Sequence, residues 1–228
     1  MQVEACIRCP FHNTCTIPIM GGGDPRSPIL IISDTIRQAD DEESRIFAGR
    51  AGAKIDNMLT EADIPPERVY KTPLVRCYSG REAKFSEFRA YKRCRYHTHD
   101  LLKIMRPRVV VLAGLKPLLW MIIRLTAEKL DETTFYKWVG KAVRLKEIWK
   151  DTKFFIIESP AQLARRRNPE NERKSIEILT TMRAYVSAQQ KGEALVLDMV
   201  DLKTRRKGTA QQMKFSFTAT DEPKPQEH

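Results

Sequence analysis

The sequence lacks any long apolar run. Its strongest candidate, LLWMII at 118–123, is six residues, far short of the roughly 20 needed to span a bilayer, so no membrane segment is expected. A signal-peptide layout is missing as well, because Cys6, Arg8 and Cys9 arrive before any apolar stretch. A cytoplasmic location follows as the expectation. There is no internal repeat, so a solenoid or propeller is not expected. Acidic residues are in deficit: 29 Asp and Glu stand against 40 Lys and Arg, a formal net charge of +11. That imbalance favours a polyanionic partner, nucleic acid first; the plainer alternative is charge that only keeps a soluble protein dispersed. An even set of cysteines is also absent. Five are present, Cys6, Cys9, Cys15, Cys77 and Cys94, and an odd count in an intracellular chain argues against a disulfide framework and for a metal or cluster site.

At 228 residues the chain can bury one substantial core. Four stretches read as short buried strands: 29–32, 69–75, 109–112 and 154–157, each β-branched or aromatic and bounded by Pro, Gly or charge. Helical patterns separate them. Residues 53–62 place Ile55, Met58, Leu59 and Ala62 on one face. Ser86 is the expected N-cap of a helix that ends by Pro107; another helix covers 116–124, and a long one covers 171–190 after Asn168-Pro169. Strand alternating with helix implies an α/β fold, a mainly parallel four-stranded sheet with helices on both faces. Ligand sites in such folds lie at the carboxyl ends of the strands. Those ends carry Ser33 and Asp34, Thr72 and Pro73, Ala113 and Gly114, and Ser159 and Pro160; the same residue types also serve as ordinary turn chemistry. The expected organisation is a domain over 1–190, a β-hairpin or partner-binding arm over 191–220, and a disordered tail over 221–228. The arm rests on two strand-like stretches, 194–202 and 212–219, around a basic KTRRKGT.

Cys6 and Cys9 form a C-x2-C turn that aims two sulfurs one way, and Cys77 and Cys94 can complete a four-thiolate site from a distance. Spacing leaves structural zinc and a [4Fe–4S] cluster equally open. Arg8, Arg76, Arg93 and Arg95 flank these cysteines and are expected to favour the thiolate form. Cys15 is left over as a structural or free thiol, and His97 and His99 diverge around a helix and read as solvated. Positive charge is clustered too: 76–108 holds ten basic residues against three acidic ones, and Arg165, Arg166 and Arg167 form a second knot.

These pieces fall into one order. A C-x2-C turn is followed by a strand, the acidic pair Asp40-Asp41, and IFAGRAG at 46–52 opening a helix. VYKTP at 69–73 then leads to Cys77, Cys94 follows, PRVVVLAG occupies 107–114, and SPA at 159–161 precedes Asn168-Pro169. Over about residues 5–185 the chain resembles the iron–sulfur uracil-DNA glycosylases of the family-4 type, related to a region of a phage DNA polymerase. The resemblance implies a three-layer α/β/α fold and a [4Fe–4S] cluster on Cys6, Cys9, Cys77 and Cys94, in a bacterial or phage-infected cell.

The departures fall where that family does its chemistry. Its Gly-Glu-Ala-Pro-Gly loop is here Ser33, Asp34, Thr35, Ile36 and Arg37, so Asp34 is the candidate for positioning water. Its base-reading asparagine is Pro73, and its histidine is Ser159. Only Phe47, the ring on which a flipped base stacks, is retained, with Thr35, Thr72 and Pro73 as the remaining candidate pocket residues and Ser159, at the histidine position, as the second catalytic candidate beside Asp34. Losing a hydrogen bond that reads the base is worth orders of magnitude, and losing an electrostatic stabiliser about a hundredfold or more. The leading expectation is therefore a non-catalytic DNA-binding protein, a replication or repair accessory. It would grip double- or single-stranded DNA through Arg50, Arg76, Arg93, Arg95, Arg165, Arg166 and Arg167. Two alternatives stand beside it. One is a DNA glycosylase or other base-processing enzyme of altered specificity; the other is a protein-interaction subunit or inhibitor that meets a partner through 194–219.

Overall fold

A computed structural model describes residues 6–80, 86–121, 132–145, 149, 151–166 and 168–202. The strands are β1 (Gly22–Gly23), β2 (Ile29–Thr35), β3 (Tyr70–Val75), β4 (Val109–Ala113), β5 (Ala142–Leu145), β6 (Lys153–Ile157) and β7 (Met199–Leu202). They form one sheet in the order β1-β3-β2-β4-β6-β5-β7. The four expected strands are its parallel centre, β3-β2-β4-β6. The sheet is wider than expected by three strands. β1 pairs antiparallel with β3, β5 antiparallel with β6, and β7 parallel with β5. β1 is two glycines with no side-chain signal, and the other two are four-residue strands that borrow their order from neighbours. The first of the two stretches in the expected arm thus supplies an edge strand of the main sheet, while 212–219 lies outside the described residues.

The helices are α1 (Gln38–Glu42), α2 (Arg50–Glu61), α3 (Glu87–Met105), α4 (Leu115–Met121), α5 (Glu132–Phe135), α6 (Pro160–Arg165) and α7 (Pro169–Lys191). Alternation along the strands divides the core into two layers. Leu30, Ile32, Val110, Leu112, Phe154 and Ile156 meet Ala90, Leu101 and Leu102 of α3 and Leu118 of α4. The intervening Ile29, Ile31, Val109, Val111, Phe155 and Ile157 meet Ile55, Met58 and Leu59 of α2 and Leu179 and Met182 of α7. The result is a three-layer α/β/α fold. Strands buried on both faces must be apolar at nearly every position, which is why these runs read so clearly.

Helix ends follow local chemistry. Asn168 caps α7: its side-chain oxygen accepts from the Asn171 N–H at 3.1 Å, Pro169 occupies the first turn, and Gly192 closes the helix with φ +75°. Ser86 precedes α3 in extended conformation, and Arg106 ends that helix at φ +47°. The cap at Asn168 yields a measurable quantity. Asn168→Ala should lower stability by about 1 kcal/mol, read as a shifted urea midpoint with unchanged slope.

Candidate functional site

The central strands emerge from the sheet into a cleft of about 490 Å³ at their carboxyl ends. Asp34 comes from the end of β2, Gly114 and Lys116 from the end of β4 and the start of α4, and Glu158 and Ser159 from the end of β6. Arg166 and Tyr136 stand at its margin. β2 lies between β3 and β4, so the chain reverses its direction of progress across the sheet here, the place where open α/β sheets leave a crevice. A second, small cavity of about 30 Å³ lies alongside, lined by Ser33, Thr35, Ile46, Phe47 and Pro160. Asp34, Arg37 and Ser159 border both. The small cavity has room for about one or two waters.

Asp34 is the charged centre of this region. Its Oδ2 pairs with Lys116 Nζ at 3.0 Å, whereas Oδ1 is buried with no hydrogen-bond partner among the described residues. Lys116 also contacts the Glu87 carboxylate and lies 5.9 Å from the centre of the Trp120 ring. Burial pushes the Asp34 carboxyl above its ordinary range and outweighs its single close cation. Lys116 is driven up instead: burial works against it, but two carboxylates hold its proton. The two directions are compatible: Lys116 contacts two carboxylates, whereas Asp34 contacts one cation, and the nearby Glu87 charge works against its ionisation while Arg37 adds a weaker pull the other way.

Glu158 carries no distinctive motif, yet it is one of the most enclosed carboxylates in the chain, 3% exposed. Its Oε1 accepts from the Ser159 N–H at 2.8 Å and its Oε2 from Asn171 Nδ2 at 3.1 Å. Its own N–H donates to Ser175 Oγ at 3.0 Å. Burial raises its pKa, and the Ser159 and Asn171 donors oppose that rise. Glu158 therefore ties the Ser159 loop to α7. The available signal was an acidic residue directly after the apolar run FFII, where the sheet meets the cleft.

The Phe47 loop is held by a neighbouring carboxylate. Asp40 accepts from the Ala48 N–H at 2.8 Å and from the Arg37 N–H at 2.9 Å. Phe47 itself has φ +60°, a conformation costly for a bulky residue. A Cβ on Gly52 would come within 1.7 Å of the Phe47 carbonyl oxygen, so glycine is needed there. Asp41 faces elsewhere and accepts from the Thr16 N–H at 2.9 Å and the Thr16 hydroxyl at 3.0 Å, fastening the cysteine-bearing N-terminal segment.

Thr72 and Pro73 do not join the pocket. β3 continues to Val75, so both lie within the strand, with Pro73 in register with Ser33. The Thr72 hydroxyl donates to the Met20 carbonyl at 2.8 Å and accepts from Arg76 Nη1 at 2.9 Å. Among the expected DNA-gripping arginines, Arg50, Arg95, Arg165 and Arg166 are exposed and Arg93 is half-buried. Arg167 lies outside the described residues. Arg8 and Arg95 each sit 5.4 Å from the centre of the Tyr96 ring. Arg76 cannot grip phosphate. It is 1% exposed, and its Nε and Nη2 have no hydrogen-bond partners among the described residues. Burial lowers its pKa to about 10, against the opposing influence of the Cys94, Cys6 and Cys77 thiols and the Tyr70 phenol.

Around Arg76 the cysteines gather on one side of the sheet. Cys9, Cys77 and Cys94 belong to a single buried cluster, with Cys15 packed against it. Cys6 stands at its edge, with His97 Nε2 3.4 Å from its sulfur. His97 is not solvated, as its pattern suggested; it is 7% exposed, and burial with nearby Arg76 lowers its pKa to about 4. Burial also pushes the Cys9 and Cys77 thiols up, and Cys94 to about 11, outweighing Arg93 at Cys9 and Arg76 at Cys94. Cys15 is a free thiol packed against this cluster, its Sγ 4.0 Å from the His12 carbonyl oxygen. No group of three or more His, Cys, Asp or Glu side chains among the described residues is close enough to hold a single metal ion. A cubane presents its irons at four separate corners and takes more widely spaced thiolates. A buried guanidinium with two unmatched N–H donors fits an anionic centre among those sulfurs.

Residues 20–183, well over half of the chain, match the family model of the uracil-DNA glycosylase superfamily. Three similar proteins are type-4 uracil-DNA glycosylases. That of Archaeoglobus fulgidus is 25% identical over 70% of this chain and 78% of its own length. The one from Thermotoga maritima is 29% identical over 50% of this chain and 58% of its own length. The Pyrobaculum aerophilum protein is 26% identical over 57% and 67%. The match thus spans little more than half of the Thermotoga relative. No helix among the described residues is long and apolar enough to cross a membrane.

The Asp34–Lys116 pair should reveal itself through pH. Lys116→Met leaves a buried carboxylate without its closest cation, at a cost of roughly 1–2 kcal/mol near neutral pH once partial solvent access is allowed for. Asp34 has a raised pKa, so its ionised form is the disfavoured one, and acidification protonates it. The deficit should shrink as pH falls through that raised value, checked by urea unfolding at a series of pH values.

Proposed function

Since this chain belongs to the uracil-DNA glycosylase superfamily, we propose that it is a DNA-binding iron–sulfur member that has lost uracil excision and serves DNA replication or repair as an accessory. The small cavity beside Phe47 carries this reading. At about 30 Å³ it is tight for a base, and its border offers the Ser159 hydroxyl where the family resemblance calls for a histidine. Pro73, at the position of the base-reading asparagine, has no side-chain donor or acceptor. A serine carries no positive charge toward a departing base anion, and a proline reads no edge.

What persists suits the phosphate backbone. Arg165 and Arg166 stand exposed where α6 ends, Arg166 on the cleft margin with Arg37, and Arg50 opens α2. Arg93 and Arg95 extend the basic surface along α3. Cys6, Cys9, Cys77 and Cys94 would hold the cluster, which when bound supplies a crosslink of the N-terminal segment to the β3–α3 connection. Structural zinc, the other group the cysteine spacing allows, would need the same sulfurs to close on one ion, and their spacing among the described residues speaks against it. A protein partner would meet the chain through 194–219, where Leu195 and Val196 are exposed just ahead of β7.

One observation favours a second reading. The buried, unpartnered Oδ1 of Asp34 lies where the two cavities meet, as a group that orients water would. In that case the protein is a glycosylase for a base other than uracil, seated in the larger cleft.

Two measurements test these readings. Duplexes carrying uracil, hypoxanthine, xanthine or modified pyrimidines, incubated with excess protein, should yield no abasic product. Release of a non-uracil base, lost in Asp34→Asn, would establish the second reading, and release of uracil would sink the first. Affinity for DNA should fall steeply with salt. Arg165→Ala and Arg166→Ala should each reduce the log–log slope by up to about 1; a flat dependence in the unaltered protein removes the electrostatic basis.

A further inference from the structure

Arg76 is a permanent positive charge sealed inside the protein without an opposite charge in the ordinary sense. Among the described residues it forms no ion pair with a carboxylate. Its Nη1 is used by two neutral acceptors, the Met20 carbonyl and the Thr72 hydroxyl, and its Nε and Nη2 are buried without partners. An uncompensated ion in such a place costs several kcal/mol, and two unmatched donors add to that cost. The acidic groups whose charge bears on it are the thiols of Cys94, Cys6 and Cys77 and the phenol of Tyr70. Arg76 directly precedes Cys77, which packs with Cys9 and Cys94 in one buried cluster. A second nitrogen donor approaches from α3, where His97 Nε2 lies 3.4 Å from the Cys6 sulfur.

We propose that Arg76, next in the chain to Cys77, is the built-in counter-charge of the cysteine centre: its two unpaired N–H groups are available to the thiolates of a [4Fe–4S] cluster and raise the cluster's reduction potential, with His97 as a lesser donor to Cys6. This rests on the iron–sulfur reading above. Four thiolates around a cubane leave a net negative unit, more negative after each one-electron reduction. A fixed cation beside it stabilises the reduced member of any such couple more than the oxidised member. Hydrogen bonds to the sulfurs act in the same direction. Arg76 thereby serves as a positioning and tuning residue, and its hydrogen bond to Thr72 joins the cluster to β3, the strand beside β2 that leads to the cleft.

The test uses the full chain purified without oxygen, as the unaltered protein and as Arg76→Lys, Arg76→Met and His97→Phe. Iron content, visible absorbance, circular dichroism and the midpoint potential by protein-film voltammetry are recorded for each. Arg76→Met should lower the potential and bleach several-fold faster in air. Arg76→Lys keeps the charge but loses the planar fork, so it should fall between, and His97→Phe should shift least. If Arg76→Met fails to fold, Arg76→Lys decides. Iron-loaded arginine variants with the potential and bleaching rate of the unaltered protein overturn the counter-charge role alone. Unaltered protein that carries zinc or no metal removes the cluster reading, and this inference with it.

Discussion

A parallel sheet covered by helices on both faces leaves its polar groups only the strand ends. Ile29, Ile31, Val109, Val111, Phe155 and Ile157 fill one layer, and Leu30, Ile32, Val110, Leu112, Phe154 and Ile156 the other. Nothing charged can enter between them without large cost. The carboxylates of Asp34 and Glu158 therefore appear where β2 and β6 finish, and Lys116 where α4 begins. The exception lies on the flank of the sheet, where Arg76 enters the interior just past the end of β3.

That constraint also explains what could be read from the chain. The four central strands were legible to within a few residues because burial on both faces demands uninterrupted apolar letters. The Asn168-Pro169 start of α7 was legible because caps have their own chemistry. β1 and β5 were not: two glycines and four residues ending at Leu145 have no internal pattern strong enough to stand alone. β7 was legible as a strand within 194–202, but as part of a separate arm and not as an edge of the main sheet. At the site, Asp34 and Ser159 could be placed from strand ends, whereas Thr72 and Pro73, read as a strand end, both lie inside the run 69–75, short of the point where β3 finishes at Val75. Arg76, His97 and Glu158 were misjudged or missed for a shared reason. Residue type gives a prior on exposure, and arginine, histidine and glutamate are usually wet.

Two sites emerge with different characters. The cleft is lined by the Asp34–Lys116 pair, with Glu87 on the far side of the lysine and Ser159 on its border. The cysteine side packs Cys9, Cys77 and Cys94 together, next to the nitrogen donors of Arg76 and His97. The fold is shared with proteins that excise uracil, but chemistry belongs to sites and not to folds.

The five-residue α1 has an importance beyond its length. Its adjacent Asp40 and Asp41 point to different loops, one gripping the turn that carries Phe47 and the other the segment that carries Cys15. Neighbours on a helix diverge by about 100°, so a single rigid turn acts as a two-way bracket. Sequence drift in either loop must remain compatible with the same pair of carboxylates, which makes the aromatic corner of the cleft and the sulfur-rich flank mechanically one unit, unable to evolve apart.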